Sequence, residues 1–242
     1  MQRDEYLDAI RTNATRLVDA AERAGLDARV PPCPDWAVAD LLAHIGRVHR
    51  WAAGNTERQP ADGPFPRGEI VIPTPEERVA WARQGAEILV AALDRPADDA
   101  CWAWIPSNRT VGFWQRRQAH ETAMHRIDAE SAAGDVQPID ADLAADGIDE
   151  LFELLATPPR GAPPTGSGET LHFHCTDVTG EWLVRRTPAG IEVEREHAKG
   201  DVAARGTASD LLCWLQGRGP TDRLEVFGDE ALLTRWREVA RF

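Results

Sequence analysis

No apolar stretch in this chain approaches the ~18 residues that a membrane-spanning helix requires, so such a span is not expected. The N-terminus, Met1-Gln2-Arg3-Asp4-Glu5, has no apolar signal core, and a cytoplasmic location is expected. Lysine is almost missing: Lys199 is the only one, and every other basic residue is arginine. Positive charge as a whole is short, with 27 basic against 40 acidic residues and a net charge of −13. Residues 170–242 hold 10 basic and 12 acidic groups, which leaves −11 on residues 1–169. An acidic surface repels phosphate backbones and anionic lipid, so neither nucleic acid nor membrane is an expected partner. The four cysteines, Cys33, Cys101, Cys175 and Cys213, form no C-x-x-C pair. They fit reduced, mostly buried thiols better than a disulfide framework or a structural zinc site.

What is present is helical periodicity followed by a change of texture. At 242 residues, 43% hydrophobic and 28% charged, the chain can bury a sizeable core in one large domain or two smaller ones. Apolar spacing predicts helices from Asp4 to Ala24, from about Val38 to Ala53 with Gly54 as a stop, and from a Thr74-Pro75-Glu76-Glu77 capping box to about Leu93. Two more run from about Val111 to Ala133, ended by Gly134, and from Ala141 to Ala156. Thr157 to Glu169 is rich in proline, glycine and serine and has the composition of an exposed linker. Beyond it, Leu171–Cys175, Trp182–Arg185, Ile191–Glu194, Val202–Arg205 and Leu224–Phe227 have the composition of short strands. Helical spacing returns over Ala208–Gln216 and Asp229–Arg241. The expected fold is α plus α+β: a helical bundle over residues 1–156, a linker over 157–169, and a small α+β domain over 170–242, marginal by itself.

The most informative stretch is Gln118 to Asp128, QAHETAMHRID. His120-Glu121 followed by His125 imitates the zinc-protease pattern H-E-x-x-H with one residue too many. Five residues apart, the two histidines point ~140° from each other around a helix and do not share an ion easily. Glu121 and His125, four apart, do share a face. His44, on another amphipathic helix, is the candidate third ligand, completing a His/Glu/His set with an open fourth position of the kind a catalytic divalent metal uses. An i,i+4 Glu–His pair is equally the pattern of an ordinary helix-stabilising contact. Asp40 and Asp128 are candidates to hold the histidines' distal N–H, and Asp40 also suits the helix N-terminus. His49 is expected at a surface or rim, Cys33 buried beside Trp36, and His172 and His174 on one face of a strand without a third ligand. Trp51, Trp81, Trp102, Trp104 and Trp114 are expected mostly in the core. Arg116, Arg117 and Arg126 flank the trio and suit substrate carboxylates or solvated helix faces.

Cys33-Pro34-Asp35-Trp36 with Val38 to His44, and Ala119-His120-Glu121 with His125 to Glu130, together resemble the mycothiol-dependent maleylpyruvate isomerase family. These are DinB-like four-helix proteins found widely in actinobacteria. Gly200 to Gly206, Leu211 to Arg218 and Val226 to Asp229 are similar to that family's sterol-carrier-like C-terminal domain. The family's metal ligands fall on His44, Glu121 and His125. Ala37 stands where similar sequences carry a helix-capping Ser or Thr. The resemblance implies a divalent metal, zinc for preference from the two-nitrogen, one-oxygen set, with nickel, iron or manganese also fitting. It implies mycothiol, a low-molecular-weight thiol, as co-substrate bound as thiolate, and a small electrophilic molecule as substrate for isomerisation or thiol transfer. Arg205 and Arg218 are the candidate catalytic residues, clamping an anionic substrate. Two other classes stay open: a hydrolase in which the metal activates water, and a non-catalytic ligand-binding protein.

Overall fold

Helix α1 (Arg3–Ala24) starts where the Glu5 carboxylate accepts the Gln2 N–H at 2.6 Å, and ends at Gly25, whose φ of 87° few side chains tolerate. The structure, a computed structural model, describes residues 1–158 and 163–240. Residues 159–162 of the expected linker, and Arg241 of the expected last helix, lie outside the described residues. The chain divides into two compact units, Met1–Gln137 and Pro138–Phe242.

The first unit holds α1, α2 (Val38–Thr56), α3 (Arg78–Leu93) and α4 (Val111–Ala133). Helix α1 packs chiefly on α4, and α2 on α3. Leu17, Val18, Val38, Leu41, Leu42 and Ile45 form a dry centre, each contributing ~1.5–3 kcal/mol by leaving water. Helix α4 ends as its sequence predicts, on Gly134 in the left-handed conformation. Helix α2 does not stop at Gly54. The Phe65 ring lies so close that a Cβ there would meet it at 2.6 Å, so this glycine serves packing rather than termination. The proline-rich segment before α2 contains a two-stranded hairpin, β1 (Arg29–Val30) with β2 (Cys33–Ala37). Trp51, Trp102, Trp104 and Phe113 gather around Trp114, with Trp51 stacked on Trp104 at 5.9 Å.

The second unit begins with α5 (Ala141–Ala156), which the sequence pattern places in the bundle domain 1–156. Its Phe152 meets Phe173 at 5.7 Å and also faces Trp182 and Trp236. A sheet domain of residues 170–242 alone is short of core, and α5 supplies it. The proline- and glycine-rich segment is therefore a connection inside this unit. Five strands run in the order β5-β4-β3-β6-β7: β3 (Thr170–Cys175), β4 (Glu181–Thr187), β5 (Gly190–Glu194), β6 (Val202–Gly206) and β7 (Glu225–Gly228). Helices α6 (Ala208–Leu215) and α7 (Glu230–Val239) complete it, bringing Trp214 and Trp236 to the aromatic core. Alternation along β3 buries Leu171, Phe173 and Cys175 on one face and turns His172 and His174 to the other. The connection from β5 to β6 is tied at both ends. Arg195 pairs with Asp149 at 2.5 Å, and the Asp201 carboxylate accepts both the Thr170 N–H and its hydroxyl at 2.8 Å. Among the described residues no helix is long and apolar enough to cross a membrane.

Candidate metal centre

Helix α2 delivers His44, and α4 delivers Glu121 and His125 one turn apart. The Nε2 atoms of His44 and His125 lie 3.4 and 3.3 Å from the same carboxylate oxygen, Glu121 Oε1. All three donor atoms fall within 4.8 Å of one another, and the two imidazole rings meet edge to face at 4.7 Å. Such a group can hold a divalent ion. The trio is partly open, since the side chains of His44 and Glu121 are 26% and 20% exposed while that of His125 is 9%. Trp36 covers it from β2, with its ring 5.0 Å from His44 and 6.2 Å from His125.

The surrounding charges hold these groups in defined states. Arg117, one turn before Glu121, pairs with Glu121 Oε2 and leaves Oε1 to the histidines. Burial opposes ionisation of Glu121. The Arg117 charge and the hydrogen bonds from His125 and His44 outweigh it and keep the carboxyl well below its usual range. Fully buried Asp128 accepts from His125 Nδ1 at 2.9 Å, which turns Nε2 toward the centre. Burial likewise disfavours the His125 imidazolium, but the Asp128 and Glu121 contacts prevail and raise its pKa to about 9. The Cys33 thiol lies behind, 4.0 Å from Asp128 Oδ2.

Several sequence expectations change on this geometry. Asp40 is not placed behind His44: its carboxylate accepts the Ala37 N–H at 3.1 Å and lies 3.5 Å from Arg78. With alanine at 37 offering no acceptor, this half of the reciprocal cap stands alone. His49 is not at a rim but 1% exposed, with Nε2 donating to Thr122 Oγ1 at 3.0 Å while that hydroxyl donates to Gln118 O. Burial lowers its pKa to about 3, so it is a neutral tie between α2 and α4. His120 is buried edge-on to Tyr6 at 6.4 Å. Arg126, 1% exposed, binds Glu130, Asn13 Oδ1 and Gln137 O inside the bundle, so it is no receiver of substrate. Arg205 and Arg218 belong to the second unit. Arg205 is exposed and lies 3.5 Å from Glu225, and Arg218 donates to Gln216 O at 2.7 Å. The contribution of Trp36 is one that residue types alone do not announce; its only sequence signal is membership of the Cys33-Pro34-Asp35-Trp36 motif. His172 and His174 acquire a partner that strand spacing does not reveal, in Glu181.

The family model described as "Mycothiol maleylpyruvate isomerase N-terminal domain" matches residues 7–130, and that described as "MDMPI C-terminal domain" matches residues 142–235. The latter starts at α5, in keeping with the structural division. Among solved structures, the mycothiol-dependent maleylpyruvate isomerase is similar at a TM-score of 0.65 and 14% identity, over 93% of each chain. A histidine-to-alanine mutant of a mycothiol-dependent maleylpyruvate isomerase gives 0.61 at 14% identity and the same coverage. At this identity the likeness establishes the shared fold. No curated protein matches the chain. With one family model spanning half of the sequence and a companion model covering most of the remainder, the chain belongs to the mycothiol maleylpyruvate isomerase family, a family of enzymes.

Proposed function

We propose that the chain is a metal-dependent, thiol-dependent isomerase whose reaction centre is His44, Glu121 and His125. The observation that carries this is the convergence of two imidazole nitrogens and one carboxylate oxygen within 4.8 Å, on a partly open surface. The donor set fits a divalent ion of the first transition row, with zinc preferred. When bound, that ion favours the thiolate of a low-molecular-weight thiol such as mycothiol, a nucleophile able to add to an electrophilic carbon and leave again after bond rotation.

The chain's own residues prepare the centre. Asp128 fixes the His125 tautomer, so that Nε2 carries the lone pair once its proton is released. Arg117 keeps Glu121 ionised and orients its second oxygen. Trp36 forms an apolar wall that limits water on one side of both imidazoles. The mycothiol-dependent isomerisation of maleylpyruvate, named for the similar solved structures, is the activity to assay first. Arg205 and Arg218 are our proposed contacts for an anionic substrate group. Changing either to alanine is expected to raise KM and spare kcat.

The test is metal analysis of the purified protein together with isomerase assays, with and without thiol, on the wild type and His125→Ala. Loss of one equivalent of metal together with thiol-dependent turnover is the expected result for the variant. Full activity in metal-free His125→Ala protein would overturn the assignment. Hydrolysed product formed without added thiol would instead indicate a water-activating hydrolase.

A further inference from the structure

Among the described residues, two groups bring three histidine or carboxylate donor atoms within 4.8 Å of one another: the trio in the bundle, and His172, Glu181 and His197 in the second unit. We propose that His172, Glu181 and His197 form a second binding site for a divalent transition-metal ion. It does not depend on the proposed reaction centre, because every residue in it comes from the second unit.

The three donors come from different elements. His172 lies mid-strand in β3, Glu181 opens β4, and His197 lies in the connection from β5 to β6. The antiparallel register sets Glu181 directly opposite His174, two residues from His172 on the same face. The result is a carboxylate surrounded by imidazoles. His197 Nδ1 is 2.7 Å and His172 Nε2 3.4 Å from Glu181 Oε2, and His174 Nδ1 is 3.5 Å from Oε1. The His172 and His174 rings both meet His197 edge to face, at 5.7 and 6.1 Å.

A separate observation points to a ligand. His172 is 5% exposed, and its buried Nε2, directed at this cluster and 3.4 Å from Glu181 Oε2, makes no hydrogen bond of good geometry. Leaving a buried polar atom without a good partner is unfavourable, and a ligand that engages it removes that cost. A cation among the three donors would engage that nitrogen, and Glu181 would offset part of its charge. His174 is the nearest candidate for a fourth donor. Glu181, His174 and His197 also line an open cleft of about 630 Å³, which provides an entry path. Imidazole-rich sets with one carboxylate suit zinc, nickel or copper, whereas magnesium and calcium prefer all-oxygen sites. An ion here would clip the β5–β6 connection onto β3 and β4.

The experiment is equilibrium dialysis of the full chain against zinc chloride, with bound metal counted by elemental analysis. We expect two equivalents for the wild type and one each for His125→Ala and His197→Ala. The double variant should bind none. The His197 side chain is 81% exposed, so its removal leaves the fold intact. In the His125→Ala background zinc should raise Tm, and the further His197→Ala change should abolish that rise. A single wild-type equivalent that His125→Ala removes and His197→Ala leaves untouched would overturn this proposal while sparing the bundle centre. Retention of the His197-dependent equivalent with none lost in His125→Ala would do the reverse.

Discussion

The two histidine–carboxylate clusters differ in how much protein stands behind them. In the bundle, both histidines face one oxygen of a carboxylate whose other oxygen is held by Arg117, and Asp128 fixes the inner histidine. Helix α4 carries four of these residues and is buried along most of its length. In the second unit the carboxylate is central and His197 is almost wholly in solvent. One cluster is organised by its own protein contacts, and the other, on our proposal, would be completed by the ion it binds. Catalytic sites need the first condition, because misplacement by 1 Å costs rate. A clip that tightens a surface connection needs only the second.

Substitution and titration distinguish the two clusters. The largest effect concerns the rigidity of α4 itself. Glu130 accepts from Arg16 at 2.8 Å, Arg126 at 2.7 Å and the Gln137 N–H at 2.9 Å, and is 3% exposed. Glu130→Ala removes a buried carboxylate that faces the Arg126 guanidinium and should destabilise the first unit by about 3–5 kcal/mol in denaturant titrations. A loss below about 1 kcal/mol would mean the ladder is not what stiffens the centre. Next, Asp128→Asn should weaken zinc binding at the bundle centre roughly 10- to 100-fold and leave the His197-dependent equivalent unchanged. Equal weakening of both would erase the distinction.

The smallest effect is on pH dependence. In metal-free protein the His125 pKa stands raised from 6.5 to about 9. Its stabilising contribution is then complete below about pH 6.5 and disappears as pH climbs through about 9. Melts of chelator-treated protein should fall in Tm across that interval, and His125→Ala should flatten the slope. Neutral His49, lowered to about 3, works in the opposite direction on the acid side, costing stability as pH drops below about 6.5. Zinc affinity should rise with pH over the His125 window, since the ion must displace the Nε2 proton.

The bundle centre was legible because helical spacing is a geometric rule: four residues separate Glu121 from His125, and their side chains share a face wherever α4 packs. His44 required a second helix to turn toward them, which amphipathicity suggests without fixing. The His197 contribution was not legible. It lies in irregular backbone 25 residues beyond His172, and only the β3–β4–β5 register brings it back. His49 misled because pointing away from His44 on α2 suggested solvent, while that direction is inward, onto Thr122. The boundary after α5 misled because proline-rich composition signals an exposed connection, not whose core the preceding helix completes. Phe152 against Phe173 decides that, and it is a tertiary contact.

Between its two anchors, Arg195 on Asp149 and Asp201 on Thr170, the histidine-bearing connection is a short span. Pinning His197 therefore forfeits the freedom of a few residues rather than of a long untethered loop. That leaves the imidazole exposed to solvent on a span of few residues, so a ligand that holds it orders little additional chain.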